Sequence, residues 1–384
     1  MQDNGREGET MRILQVSKLY PPKIGGVERI VQQIAEGLND KTDMQVLVCQ
    51  EKGRGCDEVY GGVKVRRSGS LGIFLSMPLS FSFLHDLRRL SKDADIIHFH
   101  MPFPLGDLAY FFSGYKGKIV IWWHMEIVRQ KKAMAIYRPM MMKFLERADL
   151  IMVATEGHVK GSEVLQQFKD KIVVIPFGLD DAFLEKSLAA IGKGNTAATT
   201  SAATNFLFIG RLVYYKGCDV LLEAFAKMGN KEAHLTLVGG GPMKEELETV
   251  ATSYGIKDRV HMLGSIPYEN LLQHIADCDV FVLPSSERTE AFGIVQIEAM
   301  AYGKPVINTN LPTGVPYVSL HGKTGLTVEP KDVKGLTEAM DRLANDADLR
   351  QKFGKSARKR VEDEYRLSSI LDRIYAQYEK VLEK

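Results

Sequence analysis

The 384-residue sequence predicts an α/β protein made of two similar halves, and three observations carry that expectation. Short apolar runs alternate with helical patterns along most of the chain, which implies parallel sheets covered by helices. The length exceeds one ordinary core and suits two domains. Both halves open with a strand running into a glycine turn: Ile13-Leu14-Gln15-Val16 leads to Gly25-Gly26, and Phe206-Leu207-Phe208-Ile209 leads to Gly210. Two Rossmann-like domains facing across a cleft follow.

In the first half, strands are expected at Ile13 to Val16, Gln45 to Val48, Ile96 to Phe99, Ile119 to Trp122, Leu150 to Ala154 and Lys171 to Ile175, with a helix at Val27 to Leu38. The stretch 187–204 is rich in Ala, Thr, Gly and Ser without apolar period and reads as a flexible linker or insertion. The expected boundaries are therefore 11–186, the linker 187–204, 205–364, and a last helix over 365–384. In the second half strands are expected at Phe206 to Gly210, Leu235 to Val238, Val260 to Leu263, Val280 to Leu283, Pro305 to Ile307 and Gly325 to Val328. Helices separate them at Leu221 to Met228, Lys244 to Tyr254 and Tyr268 to Ala276. In the tail, Leu367, Ile370, Leu371, Ile374, Tyr378 and Val381 recur at helical spacing, an amphipathic helix that needs a surface to cover.

Composition excludes some function classes. Charged residues make up 26% and hydrophobic residues 45%, and the net charge is +2. No global field favours nucleic acid. Cys49, Cys56, Cys218 and Cys278 show no metal or disulfide spacing, which fits a reduced, cytoplasmic setting. The first ten residues lack a signal-peptide core, and Met11 reads as an older start behind a loose extension. The most apolar stretch, Leu71 to Leu84, is too short for a membrane span and contains Pro78.

The most informative segment is Ser285 to Gly303. It follows the apolar run Val280 to Leu283, so Glu290 falls in a strand-to-helix loop and Glu298 inside a helix running from about Gly293 to Gly303. Ligands of open α/β sheets bind at the carboxyl ends of strands. The amides of Phe292, Gly293 and Ile294 at a helix start form an anion site. Glutamates near a helix start also complement its dipole, so the spacing alone fits either role. Upstream, Gly210-Arg211-Leu212 ends a strand and Lys216-Gly217 precedes a helix, placing a bidentate fork and a point charge where a pyrophosphate could sit. Gly239 in Val238-Gly239-Gly240-Gly241-Pro242 and Gly264 in Gly264-Ser265-Ile266-Pro267 mark two further turns at strand ends. The first of these is not a dinucleotide fingerprint, because Pro242 and Met243 fill the following places. Asp93-Ala94-Asp95 and Asp277-Cys278-Asp279 precede strands, away from the ligand side, and read as structural acids.

In the first half, Gly25 and Gly26 would let a phosphate approach a helix start. His124 follows the strand ending Trp122-Trp123, and His98 and His100 share one face of another strand, His98 as a packing residue. Residues 129–147 interleave cations with Met and Phe, which suits either an anionic membrane surface or a solvated helix with a buried Met face.

Glu290 and Glu298 with Ala-Phe-Gly-Ile-Val between them, together with the pattern around Gly210-Arg211-Leu212 and Lys216-Gly217, resemble the E-x7-E and donor-diphosphate motifs of retaining GT-B glycosyltransferases of family 4. The resemblance covers nearly the whole chain. It implies a GT-B fold whose last helix crosses back to the first domain, and a nucleotide diphosphate sugar as donor with no separate cofactor and no obligate metal. Arg211 and Lys216 would stabilise the leaving diphosphate. Glu290 would bind the sugar, Glu298 the ribose, and His124 the sugar or acceptor side. Gly25, Gly26, Gly239, Gly264, Phe292, Gly293 and Ile294 would border the nucleotide. The stretch Glu290 to Met300 followed by Asn308 to Pro316 resembles bacterial surface-polysaccharide transferases, several of which use GDP-mannose or GDP-rhamnose, and this resemblance points to GDP-mannose and to a lipid-linked or oligosaccharide acceptor at the inner face of the cell membrane. The alternatives are a UDP-sugar donor on the same fold and a non-catalytic nucleotide-sugar-binding protein. A pyridoxal-type phosphorylase lacks its cofactor lysine here, and an NAD enzyme lacks its glycine fingerprint.

Overall fold

The computed structural model describes residues 10–22, 25–74, 77–126, 131–194 and 203–384. The chain divides into two compact units. Thr155–Gly161 and Pro176–Leu367 form the second, and the rest of the described chain, including Ser368–Lys384, forms the first.

The first unit contains β1 (Arg12–Val16), β2 (Asp43–Cys49), β3 (Cys56–Tyr60), β4 (Val63–Ser68), β5 (Ile73–Phe74), β6 (Met77–Pro78), β7 (Ile96–Met101), β8 (Lys118–Trp123), β9 (Leu150–Val153) and β10 (Ile172–Val174). Eight of these form one sheet in the order β10-β9-β8-β7-β1-β2-β4-β3. Every pair is parallel except β3 with β4. β7 and most of β8 are buried throughout, as expected of strands covered on both faces. The strand order reverses between β1 and β7, each of which feeds a connection running to a different side of the sheet.

The C-terminal helix Leu367–Leu382 belongs to this first unit apart from its first residue. It buries Ile370, Leu371, Ile374, Tyr378 and Val381, the stripe that the helical spacing predicts. The Tyr378 hydroxyl meets Nδ1 of His98 at 2.7 Å, and Asp372 accepts from Lys41 at 2.7 Å.

The second unit holds β11 (Asn205–Ile209), β12 (His234–Val238), β13 (Val260–Gly264), β14 (Val280–Leu283), β15 (Val306–Thr309) and β16 (Gly325–Val328). They form a wholly parallel sheet, β13-β12-β11-β14-β15-β16, with its reversal between β11 and β14. Phe206, Phe208, Leu235, Leu237, Val280 and Val282 pack with Leu221, Phe225 and Met340 in one apolar core.

Two expectations need correction. The stretch 187–204 does not begin as a linker: Asp181–Gly194 is a helix, with Phe183, Leu184 and Ser187 buried. Arg358 fixes it, donating to Ser187 Oγ, Leu184 O and Ala301 O. Residues 195–202 lie outside the described chain. The first domain also does not run to 186, because 155–161 and 176–186 join the second unit. The acids read as structural are placed as such: Asp95 accepts from the amide of Arg12, and Asp279 from that of Asn205, each pinning the entry of a neighbouring strand.

Candidate active site

In an open parallel sheet the strands flanking the reversal send their following loops in opposite directions, which leaves a crevice at their carboxyl ends. In the second unit those strands are β11 and β14. The loop after β11 carries Gly210, Arg211 and Lys216, and the loop after β14 carries Ser285 and Glu290. Ser286 donates its amide to Tyr215 O at 2.8 Å, tying the two loops together. Lys216 Nζ then reaches Glu290 Oε2 at 2.5 Å, and Ser285 Oγ donates to the same oxygen at 3.0 Å. The side chains of Lys216 and Glu290 are only 13% and 11% exposed. Burial alone would push the Lys216 ammonium down; the Glu290 carboxylate more than offsets this, and the lysine pKa lies above its ordinary value. Arg211 is exposed at the mouth of the same loop.

The loop after β14 is held from several sides. Thr309 Oγ1 donates to Ser285 O at 2.6 Å, Gly314 N to Ala291 O at 2.7 Å, and Arg288 to Gly161 O at 2.5 Å. Gly293, the N-cap of helix Ile294–Ala301, has φ 72°, and a Cβ there would lie 2.5 Å from Leu283 Cδ2. Glycine is therefore required for this turn. Gln296 donates to Phe292 O at 2.9 Å and accepts from Asn308 Nδ2 at 2.9 Å, fixing the helix start from below. The first amides of a helix have no intrahelical acceptor, and in this one they begin at Gly293 and Ile294, just after Phe292.

Glu298 is buried in this helix, and Tyr268 donates its phenol to Glu298 Oε1 at 3.1 Å. Tyr268 opens the helix after β13, next to the turn at Gly264. The turns after β11, β12 and β13 are joined by their backbones: Gly210 N to Val238 O, Gly239 N to Gly264 O, and Leu212 N to Gly240 O, at 2.8–2.9 Å. Gly239 has φ 138°, and a Cβ there would run into the carbonyl oxygen of Gly210, so this close approach demands glycine.

The structure thus gathers Lys216, Glu290, Glu298, Gly239, Gly264 and Phe292 to Ile294 at the carboxyl ends of one sheet. Gly25, Gly26 and His124 lie in the first unit. Gly25 has an extended backbone and precedes helix Gly26–Leu38; the Glu28 carboxylate fills the space that its side chain would take. Lys23 and Ile24 of that loop, and Arg129 and Gln130 of the basic segment, lie outside the described residues. His124 directly follows β8 and is 2% exposed, its Nε2 2.9 Å from His100 Nδ1. His98 packs on Tyr378 rather than facing a ligand. Tyr268 and Ser285 have no predicted roles, although each stands next to a predicted glutamate or turn. Gln15 is also missed; its signal is a polar residue inside an apolar strand.

Residues 199–360 match the family described as Glycosyl transferases group 1, and residues 24–183 match Glycosyltransferase Family 4. The chain is 31% identical to D-rhamnosyltransferase WbpZ of Pseudomonas aeruginosa over 353 residues, 91% of each chain. It is 29% identical to O-antigen chain mannosyltransferase C of Escherichia coli over 386 residues, 97% of this chain and 99% of that one. Among solved structures, HepE of Anabaena in complex with UDP-glucose superposes with a TM-score of 0.74 at 19% identity, covering 96% of this chain and 100% of that one. The fold is GT-B, with two Rossmann-like domains. The chain belongs to the group 1, family 4 glycosyltransferases.

Proposed function

We propose that this protein moves a hexose from a nucleotide diphosphate sugar to a hydroxyl of a lipid-linked or saccharide acceptor in surface-polysaccharide synthesis, with retention at the anomeric carbon. The proposed donor is GDP-mannose. The observation that carries the proposal is the buried Lys216–Glu290 pair at the strand-order reversal, with Glu298 and a helix start beside it. Two relatives matched over 91% and 97% of the chain are a rhamnosyltransferase and a mannosyltransferase, and a mycobacterial relative matched over 42% of it is named as GDP-mannose-dependent, which supports the proposed donor.

Lys216 Nζ has three donors, of which Glu290 takes one, so two remain for phosphate oxygens. Arg211 adds a bidentate fork, and the amides of Phe292 to Ile294 add dipoles already oriented before charge develops. Ser285 and Lys216 occupy Oε2 of Glu290, which leaves Oε1 to accept from a sugar hydroxyl. Tyr268 holds Glu298 for the ribose hydroxyls. In the proposed step the bond from the anomeric carbon to the leaving phosphate oxygen breaks while the acceptor oxygen bonds on the same face. The acceptor proton passes to the phosphate. His124 serves the hydroxyls of the sugar or acceptor. No metal is required, so turnover should survive EDTA.

No described helix is long and apolar enough to cross a membrane. Helix Lys131–Arg147 exposes Ile136 beside Arg138 and Lys143, which supports peripheral contact with an anionic membrane at its cytoplasmic face. The test is a thermal-shift series with GDP-mannose, UDP-glucose, GDP, UDP and NAD, followed by the anomeric configuration of the product by NMR. Stabilisation by GDP and GDP-mannose and a product of retained configuration are expected. A shift with UDP alone would replace the donor, and an inverted product would overturn the mechanism.

A further inference from the structure

The reversal of strand order in the first unit falls between β1 and β7, and a buried polar chain occupies it. Gln15 lies on β1, His100 on β7, and His124 just beyond β8. All three are at most 2% exposed. His100 Nε2 is 2.8 Å from Gln15 Oε1, and His100 Nδ1 is 2.9 Å from His124 Nε2. The other end of the Gln15 amide, Nε2, meets the sulfur of Met44 at 3.5 Å. The imidazoles of His98, His100 and His124 and the Trp122 indole are stacked at interplanar angles of 8–27°.

The chain has a direction, and Met44 sets it. A thioether has lone pairs and no hydrogen, so it takes the NH2 end of the Gln15 amide and turns the carbonyl toward His100. The carbonyl can only accept, so His100 carries its proton on Nε2. Burial and the two neighbouring imidazoles push the His100 pKa well below its ordinary value, so the ring is neutral and its Nδ1 is bare. A bare Nδ1 can only accept, and the hydrogen in the contact with His124 must sit on His124 Nε2.

We propose that Met44, Gln15 and His100 are positioning residues that hold His124 as the Nε2–H tautomer, so that its Nδ1 presents a lone pair and receives a hydroxyl proton donor. This rests on the proposed role of His124 in glycosyl transfer. The opposite tautomer would present N–H at the same place and would prefer a carbonyl or phosphate oxygen. The relay thus selects hydroxyl recognition, with the substrate O–H donating and the imidazole accepting.

The test is 15N NMR of the full-length protein with labelled histidine, with His124 assigned by the loss of its signals in His124→Gln. At neutral pH the expected wild-type pattern is a protonated Nε2 and a bare, downfield Nδ1 on His124. The Gln15→Leu variant should shift His124 toward a mixture of tautomers, with turnover lower by up to about tenfold, the scale of one hydrogen bond. A wild-type His124 protonated on Nδ1, or a His124 pattern unchanged in folded Gln15→Leu, would overturn the proposal. The wild-type spectrum decides even if Gln15→Leu does not fold. A protein with the expected tautomer but no transferase activity would refute the proposed function and leave the relay standing.

Discussion

Lys216 and Glu290 show how one contact can serve stability and chemistry at once. The pair is nearly buried at 2.5 Å, so removing one partner strands the other charge, at a cost of about 3–5 kcal/mol. Lys216→Met and Glu290→Leu should each lower unfolding free energy by roughly 3 kcal/mol, and the double variant by less than the sum. Urea unfolding of the three proteins measures this. Turnover should fall by at least about tenfold in every variant, an effect of roughly 1.4 kcal/mol, because the phosphate and sugar contacts go with the side chains. A double variant that regained both stability and full turnover would reduce the pair to a structural role. The pH dependence has a definite sign. The lysine pKa is raised in the fold, so its contribution is complete below the unfolded value of 10.5 and disappears as pH climbs through the folded value. Above about pH 10.5 the wild type should therefore lose more stability than Lys216→Met. Equal losses would show that the ion pair contributes nothing to folding.

Among the elements, helices Pro104–Ser113 and Lys131–Arg147 meet through a second buried contact, the Tyr137 hydroxyl donating to Asp107. Burial pushes the Asp107 carboxyl up to about 8 against the lesser, opposite pull of the Tyr137 hydrogen bond. Its stability contribution is full below the unfolded value of 3.8 and is lost as pH rises to about 8. Asp107→Asn keeps an acceptor for Tyr137 without the charge. It should match the wild type near pH 4 and be the more stable protein at pH 8, as read by urea midpoints; equal midpoints at pH 8 would place the ionised carboxylate in a compensated setting. The elements also mark where sequence patterns stop being informative. β7, β8 and β14 are legible because strands buried on both faces are nearly pure apolar runs. β3 is exposed and β4 alternates, so neither shows such a run, although Gly61-Gly62 between them is a hairpin signal. Helix Asp181–Gly194 is hidden because its buried apolar residues, Phe183 and Leu184, lie in its first turn, and the small residues that follow show no apolar period. In the site, Glu290, Glu298, Arg211 and Lys216 are legible because each lies within one loop or helix of a strand end. The Gln15–His100–His124 chain is not, because it exists only through the pairing of β1, β7 and β8, which no local spacing records.

Across the whole molecule, chain order and compact units do not coincide. The chain leaves the first unit at 154, returns at 162, leaves again at 175 and returns at 368. The last return supplies a helix that buries Ile370, Leu371, Ile374, Tyr378 and Val381 in the first unit. Fully burying an aliphatic or aromatic side chain is worth about 1.5–3 kcal/mol, so these five rival the roughly 5–15 kcal/mol by which a domain is stable. His98 adds to the dependence. It is wholly buried and its pKa is pushed down to about 3 by burial, so it sits in the fold as a neutral ring whose Nδ1 meets the Tyr378 hydroxyl. Without that helix the imidazole would lose its partner and the apolar face would open to water. A fragment of residues 10–175 should therefore fail to fold cooperatively, although it holds every strand of the eight-stranded sheet. The same fragment with residues 368–384 joined by a flexible linker should show a cooperative thermal transition. Tyr378→Phe in the full chain should cost about 1–3 kcal/mol, the penalty for leaving a buried polar group unsatisfied. Circular dichroism melts of the two fragments decide the matter: a cooperative transition in 10–175 alone would show that the terminal helix covers the first unit without being part of its core.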